Sequence, residues 1–176
     1  MNTPHHDVED LQQAIEAGRP VRDHGPYRIQ IGDELLSYRP AVVPDPVPTG
    51  EQILEAAGVT PVVEYSLFQV LRNGQLEGIR LDEKTDLRAA GSEKFLVFHS
   101  DRSFRFELDG SVFDWGTSRI QGRVLKMLAK VDLATYGVWK EIPGKDDLAI
   151  GDDQFADLQG AGVESFFTGI VKTTEG

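Results

Sequence analysis

Cysteine is absent from this 176-residue chain, and that one absence removes disulfides, thiolate metal sites and thiol nucleophiles together. Long apolar runs are missing too. Nothing approaches the ~20 consecutive apolar residues of a membrane helix, and the polar, acidic stretch 1–22 lacks the apolar centre of a signal peptide. Basic charge is scarce. Eighteen Lys and Arg face 29 Asp and Glu, a net charge of −11, which repels a phosphate backbone and argues against nucleic acid as a partner. The expectations are therefore no nucleic acid, no membrane and a cytoplasmic setting. No Gly-rich loop leads into a Lys-Ser or Lys-Thr pair, and no Ser sits in a nucleophile elbow. His5, His6, His24 and His99 show no ligand spacing with Asp or Glu, so no metal is expected. What remains is a globular composition, 40% hydrophobic and 27% charged, sufficient for a packed core.

The chain repeats itself. Tyr27-Arg28-Ile29-Gln30-Ile31 returns 77 residues later as Phe104-Arg105-Phe106-Glu107-Leu108, and Leu35-Leu36-Ser37-Tyr38 returns at the same offset as Val112-Phe113-Asp114-Trp115. Beyond a proline-rich loop the offset drops to 71: Ile53-Leu54 meets Val124-Leu125, and Tyr65-Ser66-Leu67-Phe68 meets Tyr136-Gly137-Val138-Trp139. The strongest block sets Asp86–Phe95 against Asp157–Phe166, where Asp, Leu, Ala, Gly, Glu and Phe agree in register. One six-residue deletion in the loop, where deletions are tolerated, aligns the two copies.

Each copy carries the same local signals. Tyr27, Ile29 and Ile31 alternate with polar residues, the period of a half-buried strand. Turn residues and a second apolar strand complete a hairpin. In copy 1 the loop Pro40 to Pro48, with its four prolines, cannot be helix. Thr49 is the expected N-cap of a helix from Gly50 to Ala57 that Gly58 stops. Copy 2 is expected to hold a helix from about Ser118 to Lys130, with Ile120, Val124, Leu125 and Leu128 on its buried face. Third strands follow at Tyr65 to Leu71 and Tyr136 to Glu141, then turns at Asn73-Gly74 and Pro143-Gly144. The last strands are Lys94 to Phe98 and Ser165 to Val171. A hairpin, a crossing helix and returning strands make an α+β domain, one mixed sheet wrapped around one helix. In the repeated D-L-x-x-x-G-x-E block, Asp86 with Glu93 and Asp157 with Glu164 could be mistaken for paired acid–base carboxylates. Shared folding needs explain them better. Asp caps a turn, Leu87 or Leu158 anchors it, Gly91 or Gly162 takes a conformation that other residues resist, and Phe95 or Phe166 re-enters the core. The segment Asp7 to Ala17, with Val8, Leu11 and Ile15, reads as a short amphipathic helix, marginal alone in water and ordered only on a partner or a second copy.

Ile53-Leu-x-x-Ala-Gly-Val59, Tyr65-x-Leu-Phe-Gln-Val70 and both D-L-x-x-x-G-x-E-x-F blocks resemble the bacterial multi-ubiquitin family, over roughly Gly25 to Thr168. Copy 2 departs at its helix end, where Leu128-Ala129-Lys130 replaces Ala57-Gly58-Val59. The resemblance implies two tandem ubiquitin-like β-grasp domains, with a flexible segment at 1–23, domain 1 at 24–100, domain 2 at 101–170 and a conjugation tail at 171–176. It also implies a ubiquitin-like modifier, a protein acted upon and not an enzyme. An E1-like activating enzyme, supplied with ATP and Mg that this chain does not itself bind, would adenylate Gly176 while contacting Lys172, Thr173, Thr174 and Glu175. An E2-like conjugating enzyme would pass Gly176 to amines of target proteins, and a deubiquitinase-like protease would reverse the step, in anti-phage defence. A terminal Gly suits this chemistry, because a residue without Cβ threads a narrow channel. Glu175 stands where eukaryotic ubiquitin has a second Gly. Seven lysines are available as acceptors and nothing in the sequence singles one out. The alternative readings are a non-conjugated tandem β-grasp module for binding or assembly, with self-association through the N-terminal segment, and a sulfur carrier, against which the tandem and the Glu175-Gly176 end both count.

Overall fold

The computed structural model describes residues 7–89 and 91–171, and the chain divides into two compact units, 1–101 and 102–176. In unit 1, β1 (Glu9–Asp10) and α1 (Leu11–Glu16) precede the hairpin β2 (Tyr27–Gly32) and β3 (Tyr38–Val43). Helix α2 (Gly50–Ala56), β4 (Ser66–Val70), β5 (Leu76–Ile79) and β6 (Lys94–Phe98) follow. The last strand, β6, lies parallel to β2 and antiparallel to β4, so the two ends of the domain meet mid-sheet. Unit 2 repeats this order with β7 (Phe104–Leu108), β8 (Ser111–Trp115), β9 (Arg119–Gln121), α3 (Gly122–Ala129), β10 (Tyr136–Lys140), β11 (Leu148–Ile150), β12 (Phe155–Asp157) and β13 (Glu164–Ile170). Its main sheet runs β11-β10-β13-β7-β8, and β9 pairs with β12 in a small second sheet. This is the β-grasp plan twice over, and the class is α+β as the sequence predicts.

The helices form and dock for local reasons. Thr49 caps α2 reciprocally with Gln52: the Thr49 hydroxyl accepts from the Gln52 amide and the Gln52 side chain accepts from the Thr49 N–H, which satisfies two otherwise orphaned donors. Gly58 ends the helix at φ +78°. Ile53 and Leu54 then pack against Ile29, Ile31, Leu67 and Phe95 in one buried cluster, each fully buried Leu or Ile contributing about 1.5–3 kcal/mol. Both helices open on a glycine for the same steric reason. A Cβ on Gly50 would fall 2.3 Å from the Arg80 carbonyl oxygen, and one on Gly122 would fall 2.2 Å from that of Gly151.

The secondary-structure elements depart from the sequence expectations at four places. First, the proline-rich loop begins later than expected. β3 runs through Pro40 to Val43, and Leu35 and Leu36 lie in the turn before it. Pro40 is tolerated because β3 is an edge strand whose outer side needs no donor. Second, α3 starts at Gly122; Arg119–Gln121 is strand, its Ile120 paired with Ala156. Third, the six-residue deletion is divided. Tyr27 faces Val43 where Phe104 faces Trp115, so five residues are lost in the hairpin turn. The sixth is lost between helix and third strand: Gly50 and Gly58 match Gly122 and left-handed Lys130 at an offset of 72, whereas Gln69 and Lys140, which face Phe95 and Phe166, match at 71.

Fourth, the segment expected to be flexible is docked from residue 7 onward. β1 lies parallel to β2 at Tyr27 and Arg28, on the edge that β6 occupies further along. Leu11 and Ala14 are 1% and 0% exposed, and Asp10 caps α1 by accepting from the Gln13 amide. Glu9 is the anchor that the apolar pattern could not reveal. Its carboxylate, 2% exposed, accepts from Arg19 at 2.6 Å and from both the backbone and the guanidinium of Arg22. These bonds, the Arg19 one foremost, hold its pKa down at about 2 against the burial that opposes them.

Candidate functional site

The repeated acidic turn proves structural. Asp86 accepts from the Arg88 amide at 2.9 Å, and Asp157 accepts from the Gln159 amide at 2.8 Å. Leu87 and Leu158 are buried beneath these turns, as are Phe95 and Phe166 beyond them. Arg88 also pairs with Asp86 through its side chain and keeps that carboxyl below its ordinary pKa. The two glutamates diverge: Glu164 pairs with Lys140 at 3.1 Å, while Glu93 buries one carboxylate oxygen that has no hydrogen-bond partner. Gly91 has φ +84°, as expected. Gly162 does not, and open space lies where its Cβ would go, so the expectation of a special conformation holds for copy 1 only. Two carboxylates with different partners in the two copies do not form a repeated acid–base pair. Among the described residues no three His, Asp or Glu side chains are grouped to hold a metal.

The residues with a chemical reading, Lys172, Thr173, Thr174, Glu175 and Gly176, lie outside the described residues, as do His5 and His6. Their root is well defined. β13 pairs with β7 only through Glu164–Phe166 and with β10 through Ile170. Where β7 ends, Asp109 takes over. Its carboxylate accepts from the Thr168 amide at 2.8 Å and from the Thr168 hydroxyl at 2.7 Å. On the opposite edge the Val171 amide donates to the Thr135 carbonyl at 2.8 Å. Thr135 is fixed in turn by Asp132, whose Oδ1 accepts from the Thr135 hydroxyl and from the Thr135 and Ala134 amides. Those bonds, led by the Thr135 hydroxyl, lower the Asp132 pKa.

The outer face of this sheet carries an aromatic pair. Trp139 and Phe167 face one another across β10 and β13, stacked with centroids 5.6 Å apart. The cross-strand neighbours are Gly137 and Gly169, and the indole edge approaches both. Both rings are half-buried, whereas Ile170 and Val171 beyond them are 70% and 46% exposed. Sequence reasoning did not single out this face, although Trp and Phe at outward positions of alternating strands are the signal that marks it.

The structure also sorts the lysines. Lys126 is 5% exposed, bonded to Asp152 at 2.5 Å and to the Leu133 carbonyl at 3.1 Å. Lys140 holds Glu164 and the Asp157 carbonyl, and Lys94 lies over the Tyr38 ring. Lys84, Lys130 and Lys145 are exposed.

The comparisons agree with this tandem plan. No curated protein matches the chain. The multiubiquitin family matches it twice, over residues 36–100 and again over 104–169, one match within each compact unit. With most of its length covered by two copies of that repeat, the chain belongs to the multiubiquitin family.

Proposed function

We propose that this protein is a ubiquitin-like modifier, activated at Gly176 and transferred to amines of target proteins. The observation that carries the reading is the join of a β-grasp unit of this family to a tail rooted at Val171, five residues before Gly176. In the proposed sequence the Gly176 carboxylate attacks the α-phosphorus of ATP on an activating enzyme and releases pyrophosphate. A cysteine thiol of that enzyme displaces AMP from the acyl-adenylate, and a conjugating enzyme accepts the acyl group by thiol exchange. An amine of the target then expels the thiol and leaves an amide. ATP and Mg belong to the activating enzyme, and a protease of the deubiquitinase type would hydrolyse the amide. The chain itself supplies no catalytic group in this scheme; lacking cysteine, it cannot trap its own acyl group as a thioester. A cytoplasmic setting and a role in bacterial anti-phage defence belong to the same proposal. Of the described lysines, the exposed Lys84, Lys130 and Lys145 are the acceptors it favours for self-conjugation.

A second reading, a non-conjugated tandem binding module, is favoured by the aromatic face of Trp139 and Phe167. The two readings separate by intact mass after incubation with ATP, magnesium and the activating and conjugating enzymes, comparing wild type with a Gly176 deletion. Conjugation requires adducts on wild type alone, first thiol-sensitive and then amine-linked. No adduct on either protein would leave the binding module as the better reading.

A further inference from the structure

We infer that Asp109 and the Asp132–Thr135 turn are a two-sided clamp that positions the tail root for activation, a proposal that rests on the conjugation reading above. β13 loses its β7 neighbour after Phe166, so Thr168 and the residues beyond it would keep only the β10 edge. Asp109 extends the ladder by one position with two bonds to a single residue, through the Thr168 amide and hydroxyl. Charge-assisted bonds of this kind are shorter and stronger than neutral ones. Three residues further on, at the last described position, the Thr135 carbonyl takes the Val171 amide, and Asp132 keeps Thr135 in place with three bonds of its own. The strand is therefore gripped on one edge at Thr168 and on the other at Val171.

The first copy shows that the fold does not require this clamp. Leu108 faces Phe166 as Ile31 faces Phe95, so the next residue, Asp109, corresponds to Gly32, which simply continues β2 opposite Leu96. At the offset of 71, Asp132 and Thr135 correspond to Pro61 and Glu64. Neither aspartate recurs in the copy whose last strand leads into another domain. Both occur where the last strand leads into the tail. Because the clamp fixes Gly169–Val171, a partner that takes Gly176 has no need to order these three residues itself. Freeing one of them would cost roughly a factor of five or more in affinity, the ordering entropy of a single backbone residue.

The test uses the full chain. Asp109→Gly removes the carboxylate yet suits the turn, because Asp109 has φ 49°, a left-handed value that glycine adopts freely. Thr168→Val removes one of the two bonds, and Asp109→Asn, which tolerates left-handed backbone and retains an acceptor, is the rescue variant. Two readouts are taken: amide exchange at Gly169 and Val171, and KM and kcat for thioester formation on the activating enzyme. Asp109→Gly should speed exchange at these amides about tenfold and raise KM about five- to tenfold with kcat unchanged. Thr168→Val should do less of both, and Asp109→Asn should return both towards wild type. Unchanged exchange in Asp109→Gly overturns the clamp. Faster exchange with an unaltered KM overturns its positioning role. Wild-type protein that forms no thioester at all overturns the conjugation reading, while the exchange data still decide whether the clamp holds the strand.

Discussion

The two units share a topology and fill it differently. Where unit 1 has Val43 opposite Tyr27, unit 2 has Trp115 opposite Phe104. Trp115 is 0% exposed, with its indole N–H bonded to the Thr117 hydroxyl and the Arg119 carbonyl. Unit 1, with a small valine at that position, places Leu11 and Ala14 of α1 in its core. One copy closes its end with a large side chain; the other borrows a helix from upstream. The helices differ in kind as well. Buried Leu54 is matched by buried Lys126, whose ammonium reaches the Leu133 carbonyl and the half-exposed Asp152 carboxylate. The flanking ladder differs for a covalent reason. Thr85 and Leu87 donate to the Pro48 and Pro46 carbonyls, as Leu158 donates to that of Ser118, but prolines return no N–H. Unit 1 therefore keeps a single bridge, Thr49 to Lys84, where unit 2 forms the β9–β12 ribbon. A shared repeat thus fixes strand order and register but not the contents of the core.

The comparison can be broken by substitution, most severely at the tryptophan. Trp115→Ala should cost about 3–5 kcal/mol, lost from unit 2 amide protection in urea, against about 1–2 kcal/mol for Val43→Ala in unit 1. Leu11→Ala should cost about 2–4 kcal/mol, and the loss should appear in unit 1 amides with unit 2 unchanged. Acid should act on the same end of unit 1. The folded pKa of Glu9 is lowered from 4.5 to about 2, so its contribution is complete above pH 4.5 and disappears as pH falls towards 2. It amounts to about 3 kcal/mol at most. Glu9→Gln should abolish this part of the acid dependence in melts taken from pH 6 to pH 2. Lys126→Leu should destabilise unit 2 by about 1–2 kcal/mol, since it removes the donor held by the Asp152 carboxylate and the Leu133 carbonyl; a thermal melt of the full chain reads this. The smallest effect is expected from Pro46→Ser combined with Pro48→Ile. The amide that the second substitution restores should become protected from exchange, with stability changed by less than about 1 kcal/mol because the greater freedom of the unfolded chain offsets the added bond.

Much of the fold was legible because the signals were local. Period-two strands, the Thr49 cap, Gly58 and the turns at Asn73-Gly74 and Pro143-Gly144 need only neighbouring residues to be interpreted. What escaped was held by partners distant in sequence. The docking of residues 7–22 depends on Glu9 meeting Arg19 and Arg22 across a β1–β2 pairing, whereas the local pattern showed only a short amphipathic helix in need of a partner. Ile120 fitted a helical face equally well, and only Ala156, 36 residues on, makes it a strand. At the candidate site, Gly176 was named through the family resemblance, and its role belongs to the proposal. Asp109 and Asp132 left no such signal, because the contacts they support depend on Thr168 and Val171 arriving beside them.

The place of β13 in its sheet bears on how the domain is made. Among the described residues it is the last strand in sequence and the middle strand in space, flanked by β10 and β7. Until it is synthesised, β7–β8 and β10–β11 are two separate ribbons with no shared neighbour, and isolated two-stranded ribbons are marginal in water. The parallel pairing of β13 with β7 links Phe106 to Glu164, a non-local contact whose loop-closure entropy must be met before the sheet gains stability, so folding should be slow for a domain of this size. On the ribosome, unit 2 therefore cannot close early. A chain interrupted before Glu164 has no sheet centre, and the strand that roots the tail is the same strand that completes the domain.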